Sequence, residues 1–464
     1  VSRPPDELRT AVSAPFLLSE NEEGGLRMRD IRAALLALLV VAGALTSGST
    51  CAVPECGSIV TADVTLTRDL VCEGPGLIVG ASGITIDLNG FTLSGSGERA
   101  GIRIDEPYDA VTVRNGVVQD FARALQLDGV SNVVITDLSI RNASIEIEGG
   151  GGAQVVGNEI SGGGIFLIAE NSPSHRIAGN RIHGSPTAIG IEADASAIVV
   201  DNEIFDNAFG IDTSQLIGLH VEGNDFHDND VGVLLQQAAG ADLLDNDFTG
   251  QRIAVWLRFE SSGTATGNRI VQNRIGFQVG SGDPDDSILI EYEIRDNLFA
   301  SNGAAGILLL NADQLEGSRI EQNELVGNGF APEGVTNNAG ETVDDGIQVE
   351  GGPAPDLTLA SNRVFGNADY GIEAPGVVDG GGNVAKENGN PDQCLGVECR
   401  IVPPGDLDGD GDVDRDDLDQ LLPRRDEAAF GPRDPGDLDR DGRITGLDAR
   451  RLVLLCTRTR CATG

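Results

Sequence analysis

Two stretches near the C-terminus hold carboxylates at a spacing suited to wrapping a hard cation. The first runs from Asp406 to Asp417 and the second from Asp437 to Asp448. Acids occupy positions 1, 3, 5 and 12 of both: Asp406, Asp408, Asp410 and Asp417, then Asp437, Asp439, Asp441 and Asp448. Gly stands at position 6 and Val or Ile at position 8, the pattern that turns oxygen ligands inward around an ion of Ca²⁺ size. Position 7, Asp412 or Arg443, is expected to ligate through its main-chain carbonyl alone. The pair predicts two bound calcium ions. Each loop leads into a Leu-rich stretch expected to be helical, Leu418 to Leu422 and Leu447 to Leu455.

Carboxylates elsewhere could serve as general acid and base on a glycosidic bond. The candidates are Asp283, Asp285 and Asp286 in one irregular segment, and Asp344 and Asp345 at the end of another that spans 329–345. The string Asp344-Asp345-Gly-Ile-Gln-Val349 resembles the Asp-Asp strand of polygalacturonase-like hydrolases. That family's other motifs, Asn-Thr-Asp, Gly-His-Gly and Arg-Ile-Lys, do not occur in this chain. His175, His183, His220 and His227 lie at repeat positions and are expected to be exposed coil residues rather than bases.

These groups are interspersed with, or follow, a long repeat. Asn158, Asn180, Asn202, Asn224, Asn246 and Asn268 follow one another every 22 residues, and the register continues with gaps of 29, 26 and 39 at Asn297, Asn323 and Asn362. An apolar residue stands two positions after each Asn, from Ile160 to Val364, and in the regular coils another stands three before, as in Val155, Ile177 and Val199. Such columns predict a solenoid whose coils each carry two or three short strands and stack in parallel at about 4.8 Å. A leucine-rich repeat has a similar period, but the second half of each coil lacks helix formers and holds another turn and strand, as in Phe205 to Ile211. Asn suits a sharp turn because it tolerates the left-handed conformation, and stacked amides can bond from coil to coil. Roughly a dozen coils between Cys56 and Cys399 predict a rod on the order of 55 Å long.

The opening coils, Cys56-Gly-Ser-Ile-Val with Leu66-Thr-Arg-Asp-Leu-Val-Cys72 and Ile84 to Gly95, resemble bacterial right-handed parallel β-helix proteins of the NosD and carbohydrate-binding/sugar-hydrolase type. The closing Gly380 to Cys394 resembles their last coil. The resemblance implies an all-β, right-handed parallel β-helix over residues 53–399, without fixing an activity. The paired loops resemble type I dockerins over residues 405–461, with a final Asp rather than Glu and one helix after each loop. That resemblance implies a cohesin-like or cell-surface partner and polysaccharide catabolism. Positions 10 and 11, where many dockerins carry small hydroxyl residues, hold Arg415 and Asp416 in one copy and Gly446 and Leu447 in the other. Residues 400–404 read as the linker between the two parts.

The formal charge of −41 repels phosphate backbones and anionic headgroups, which argues against nucleic-acid or membrane-surface binding and favours divalent cations. Met28, Arg29 and Arg32 precede the apolar run Ala33 to Leu45. This reads as a signal peptide over 28–52, too short for a membrane span, with 1–27 a misassigned start or disordered leader. Cleavage after Ala52 removes Cys51, whose lipidation is the alternative fate. Six cysteines remain, in the local pairs Cys56 with Cys72, Cys394 with Cys399 and Cys456 with Cys461. The expected protein is secreted, a calcium-binding scaffold or polysaccharide-binding β-helix. The alternative is a polysaccharide-active enzyme of hydrolase, lyase or epimerase type.

Overall fold

The computed structural model describes residues 54–168, 173–280, 290–312, 315, 317–337 and 339–462. The expected signal peptide, Cys51, and Asp283, Asp285 and Asp286 lie outside the described residues. The chain winds as a parallel β-solenoid of about 15 turns, rather than a dozen, because short strands at both ends add coils that the Asn register does not mark. Each turn gives one strand to a 15-stranded front sheet that begins at Ile59–Val60 and ends at Cys394–Leu395. In the regular coils, two further strands separated by an asparagine corner form the second and third faces, as in His175–Ala178 and Arg181–His183. Among the described residues the strands of the rod pair in parallel between neighbouring coils, and alternation along each strand sends one set of side chains inward. Ile189, Ile211, Val233, Val255, Phe277, Ile307 and Ile347 form one such inward column of the front sheet, all buried and in register.

Two asparagine ladders run through the corners. In the first, Asn158 donates from its backbone N–H at 2.9 Å and its Nδ2 at 3.0 Å to Oδ1 of Asn180, and Nδ2 also reaches the Ile135 carbonyl at 3.0 Å. The same bonding carries through the 29-, 26- and 39-residue gaps to Asn383. The second ladder runs through Asn207, Asn229, Gln251, Asn273, Asn302, Asn328, Asn367 and Asn388, and ends on Gln393. These amides are buried, so satisfying them inside the rod removes a desolvation penalty that lone polar groups would carry. The left-handed conformation expected of the asparagines belongs instead to the residue before each one, as at Gly179, Asp201, Gly223 and Asp245. That exposed position makes the turn, which frees the Asn side chain to point inward.

After the last rung, Cys399–Ile401, the chain enters the C-terminal module with helices α1 (Arg415–Leu421) and α2 (Gly446–Leu455). Asp414 and Thr445 cap them, each in a reciprocal capping box with an Asp three residues on. The module's core is Leu407, Val413, Leu421, Ile444 and Leu452. Leu422, Leu447, Val453 and Leu455 are exposed, because α2 buries only one stripe and Leu422 lies past the end of α1. All three disulfides form as paired in the sequence: Cys56–Cys72, Cys394–Cys399 and Cys456–Cys461. No described helix is long and apolar enough to cross a membrane.

Candidate functional site

The two acidic loops fold alike. In the first, both oxygens of Asp406 accept from the backbone, from Gly409 N–H at 2.6 Å and Gly411 N–H at 2.8 Å. Asp417 reaches back from α1 to accept from Asp408 and Asp414 N–H. In the second, Asp437 accepts from Asp441 and Gly442, and Asp448 from Asp439 and Thr445. The outcome is two three-carboxylate groups, Asp406 with Asp408 and Asp417, and Asp437 with Asp439 and Asp448, each with oxygens within 4.8 Å of one another. Burial pushes the carboxyls of Asp406, Asp408, Asp417 and Asp439 up, since the charged form loses water, and neighbouring acids add to the rise.

Positions 5 and 7 stand apart from these groups. Asp410 and Asp441 accept from the backbone N–H two residues on. Asp412 is held by Arg458 at 2.9 Å, and Arg443 donates to the Asp426 carbonyl, so neither side chain is directed to its loop. Asp439 Oδ1 is buried and takes no hydrogen bond. The donor set is all oxygen and anionic, which fits a hard divalent cation of calcium size. Calcium held there would supply positive charge that offsets the crowding of carboxylates.

A third acidic group lies on the rod. Asp345 is buried at the front-sheet edge and accepts from Tyr370 N–H at 2.7 Å. Gly346 permits the close stacking, since a Cβ there would lie 2.4 Å from the Gly371 carbonyl oxygen of the next coil. The coil register brings Asp369 beside Asp344 and places Glu373 beside Gln348, and Asp344, Asp345 and Asp369 have oxygens within 4.8 Å. Burial and the hydrogen bond with Glu373 push the Asp345 carboxyl up to about 9. Burial, with Asp369 and Glu373 nearby, raises Asp344 to about 6. A neutral carboxyl therefore sits beside one that titrates near neutrality, an arrangement that can hold and pass a proton. Asp369 and Glu373 were missed in the sequence. They stand one coil below Asp344 and Gln348, and aligning Gly346-Ile347 with Gly371-Ile372 would have found them.

The histidines take no part in this group. His183 and His227 stack on either side of Phe205, with ring centroids 4.8 and 4.7 Å apart. His220 pairs with Glu222 at 2.7 Å. His175, expected on the surface, is buried, and burial lowers its pKa. Trp256 lies on the outer face of the front sheet, its indole N–H donating to the Gly280 carbonyl at 2.8 Å.

A family model described as periplasmic copper-binding protein (NosD) matches residues 127–290, the middle of the rod. The rod has the NosD-type β-helix repeat fold. No curated protein matches the chain. Tailspike protein 3 of bacteriophage CBA120 is similar at 12% identity and a TM-score of 0.48, over 74% of this chain and 56% of that one. This chain thus spans little more than half of the tailspike. The A-module of mannuronan C-5 epimerase AlgE6 from Azotobacter vinelandii gives 12% identity and a TM-score of 0.40, over 74% of this chain and 91% of that one. The Streptococcus pneumoniae surface adhesin PfbA gives 13% identity and a TM-score of 0.33, over 74% and 83%. Likeness at this level concerns the winding of the chain and not its chemistry.

Proposed function

We propose that the protein is an exported, calcium-binding β-helix that acts as a rigid extracellular scaffold and binds polysaccharide along its front sheet. The observation that carries the calcium assignment is the repeated convergence of position 1, 3 and 12 carboxylates, twice in one small module. Three disulfides support an oxidising compartment. Polysaccharide binding is supported by the outer column of the front sheet, where half-exposed Glu146, Phe166, Asp212 and Trp256 set hydrogen-bonding groups beside aromatic surface. Exposed Leu447, Val453 and Leu454 on α2 support docking to a protein partner of cohesin-like or other cell-surface type. Calorimetry on the full chain should give two calcium sites. Replacing Asp406 and Asp437 with Ala should remove both, and fewer than two sites in the parent chain would refute the assignment.

One observation favours a second reading, an enzyme acting on polysaccharide: the proton-sharing group of Asp344, Asp345, Asp369 and Glu373. Half-exposed Asp344 would exchange a proton with the substrate as general acid or base, while buried Asp345, held neutral beside it, sets its charge state. A screen of neutral and uronate polysaccharides for reducing ends or unsaturated products decides between the readings. Activity that survives Asp344→Asn with Asp345→Asn would remove this group from the chemistry.

A further inference from the structure

The C-terminal module lies against the rod over a face prepared for it. Val271, Ala300, Val326, Phe365 and Lys386 stand in register on successive coils, on the outer side of the third face. In earlier coils the same column holds Ser161, His183, Phe205, His227 and Thr249. The change from mixed and polar to apolar coincides with the coils that the module covers. Phe430 packs into that apolar column, and its carbonyl accepts from Ser301 Oγ at 2.6 Å. Arg424 lies over the Phe430 ring at 4.0 Å and is itself held by buried Asp434, so the ring is presented by the module's own frame.

Beside Phe430, three cations of the rod grip the backbone of the first acidic loop. Lys386, the sole lysine of the chain, is buried over Phe365 and donates to the Asp406 carbonyl at 2.5 Å. Arg363 donates to the Leu407 carbonyl and Arg400 to that of Gly409. Asp406 therefore faces two ways, its carboxylate into the acidic group and its carbonyl onto Lys386. The second loop touches the rod directly through a partly exposed ion pair, Arg440 with Glu387, and its backbone at Gly442 and Ile444 bonds to the 426–429 segment that leads into Phe430.

We propose that the first acidic loop is a latch: a divalent cation held there and the grip of Lys386 on that loop stabilise each other, while the second loop has no share in the Lys386 contact. The proposal rests on the calcium reading of the loops. Linkage then works in both directions, because whatever fixes the Asp406 backbone serves both the ion and Lys386, and whatever weakens that grip weakens the ion by the same factor.

The full chain supplies its own probe. With calcium present, an amine-acylating reagent should leave Lys386 unmodified, as read by peptide mass spectrometry, and chelator should speed its modification at least about 10-fold. On the rod side, Lys386→Met should weaken one calcium site by about 10-fold, within the usual 5- to 150-fold range of such couplings, and leave the other unchanged. Two intact sites with equal Lys386 labelling in calcium and chelator would overturn the latch and leave the calcium reading standing. Equal weakening of both sites by Lys386→Met would do the same. Absence of any calcium binding by calorimetry would overturn both.

Discussion

The rod and the C-terminal module bury polar groups by opposite means. In the rod the corner asparagines are answered by amides one coil away, so the coil repeat satisfies its own hydrogen bonds. In the module most buried polar groups are carboxylates of one sign, brought together in two groups with oxygens within 4.8 Å, beside an apolar core of five side chains. A repeat can close its polar network internally, whereas a small acidic module must receive charge from outside. A cation therefore governs the folding of the module and leaves the winding of the rod unchanged.

The largest expected effect separates the regions directly. On adding chelator to the full chain, the helical circular dichroism of α1 and α2 should vanish while the β signal stays, because loss of the ion restores the repulsion among Asp406, Asp408 and Asp417 and their counterparts. Loss of both signals, or of neither, would show that the two regions do not differ in their need for the ion.

A mid-sized effect tests the self-sufficiency of the rod. Asn224→Ala removes the acceptor for Asn202 and the donor to the Val199 carbonyl, leaving buried groups unanswered in two coils. The cost should be about 3–5 kcal/mol in urea unfolding. It should be the same with and without calcium, and a calcium-dependent cost would show that the rod is not indifferent to the ion.

The smallest effect concerns the one place where the rod itself gathers acids. Asp345 holds its proton in the folded state up to about pH 9 but releases it near 3.8 when unfolded. Its contribution to stability is therefore complete below the unfolded value and is lost as pH rises through the folded one. Asp345→Asn, neutral throughout, should match the parent near pH 4 and exceed it by on the order of 2 kcal/mol near pH 9. Thermal melts across that range check this, and parallel pH profiles would mean that the carboxyl is not held neutral.

The asparagine period, the inward columns and the three cysteine pairs were legible because each is written at fixed spacing along one chain. Ile160 and Ile182 share a column since one coil separates them, and backbone geometry alone makes that so. The acidic loops were legible for the same reason, as twelve consecutive residues fold on themselves. The turn position was misread by one residue, because the inward pull on a buried amide outweighs the tolerance of Asn for the left-handed region.

What tertiary structure decided is whatever depends on coils of unequal length or on one region resting on another. Asp369 and Glu373 meet Asp344 and Asp345 only after the 39-residue coil has closed, and the burial that raises those carboxyls exists only in the stacked rod. Lys386 and Phe430 lie 44 residues apart with no local pattern joining them, and they share one interface because the module turns back over coils whose outward residues are apolar. Spacing specifies how a chain winds; only packing between distant segments selects which charged groups lose their water.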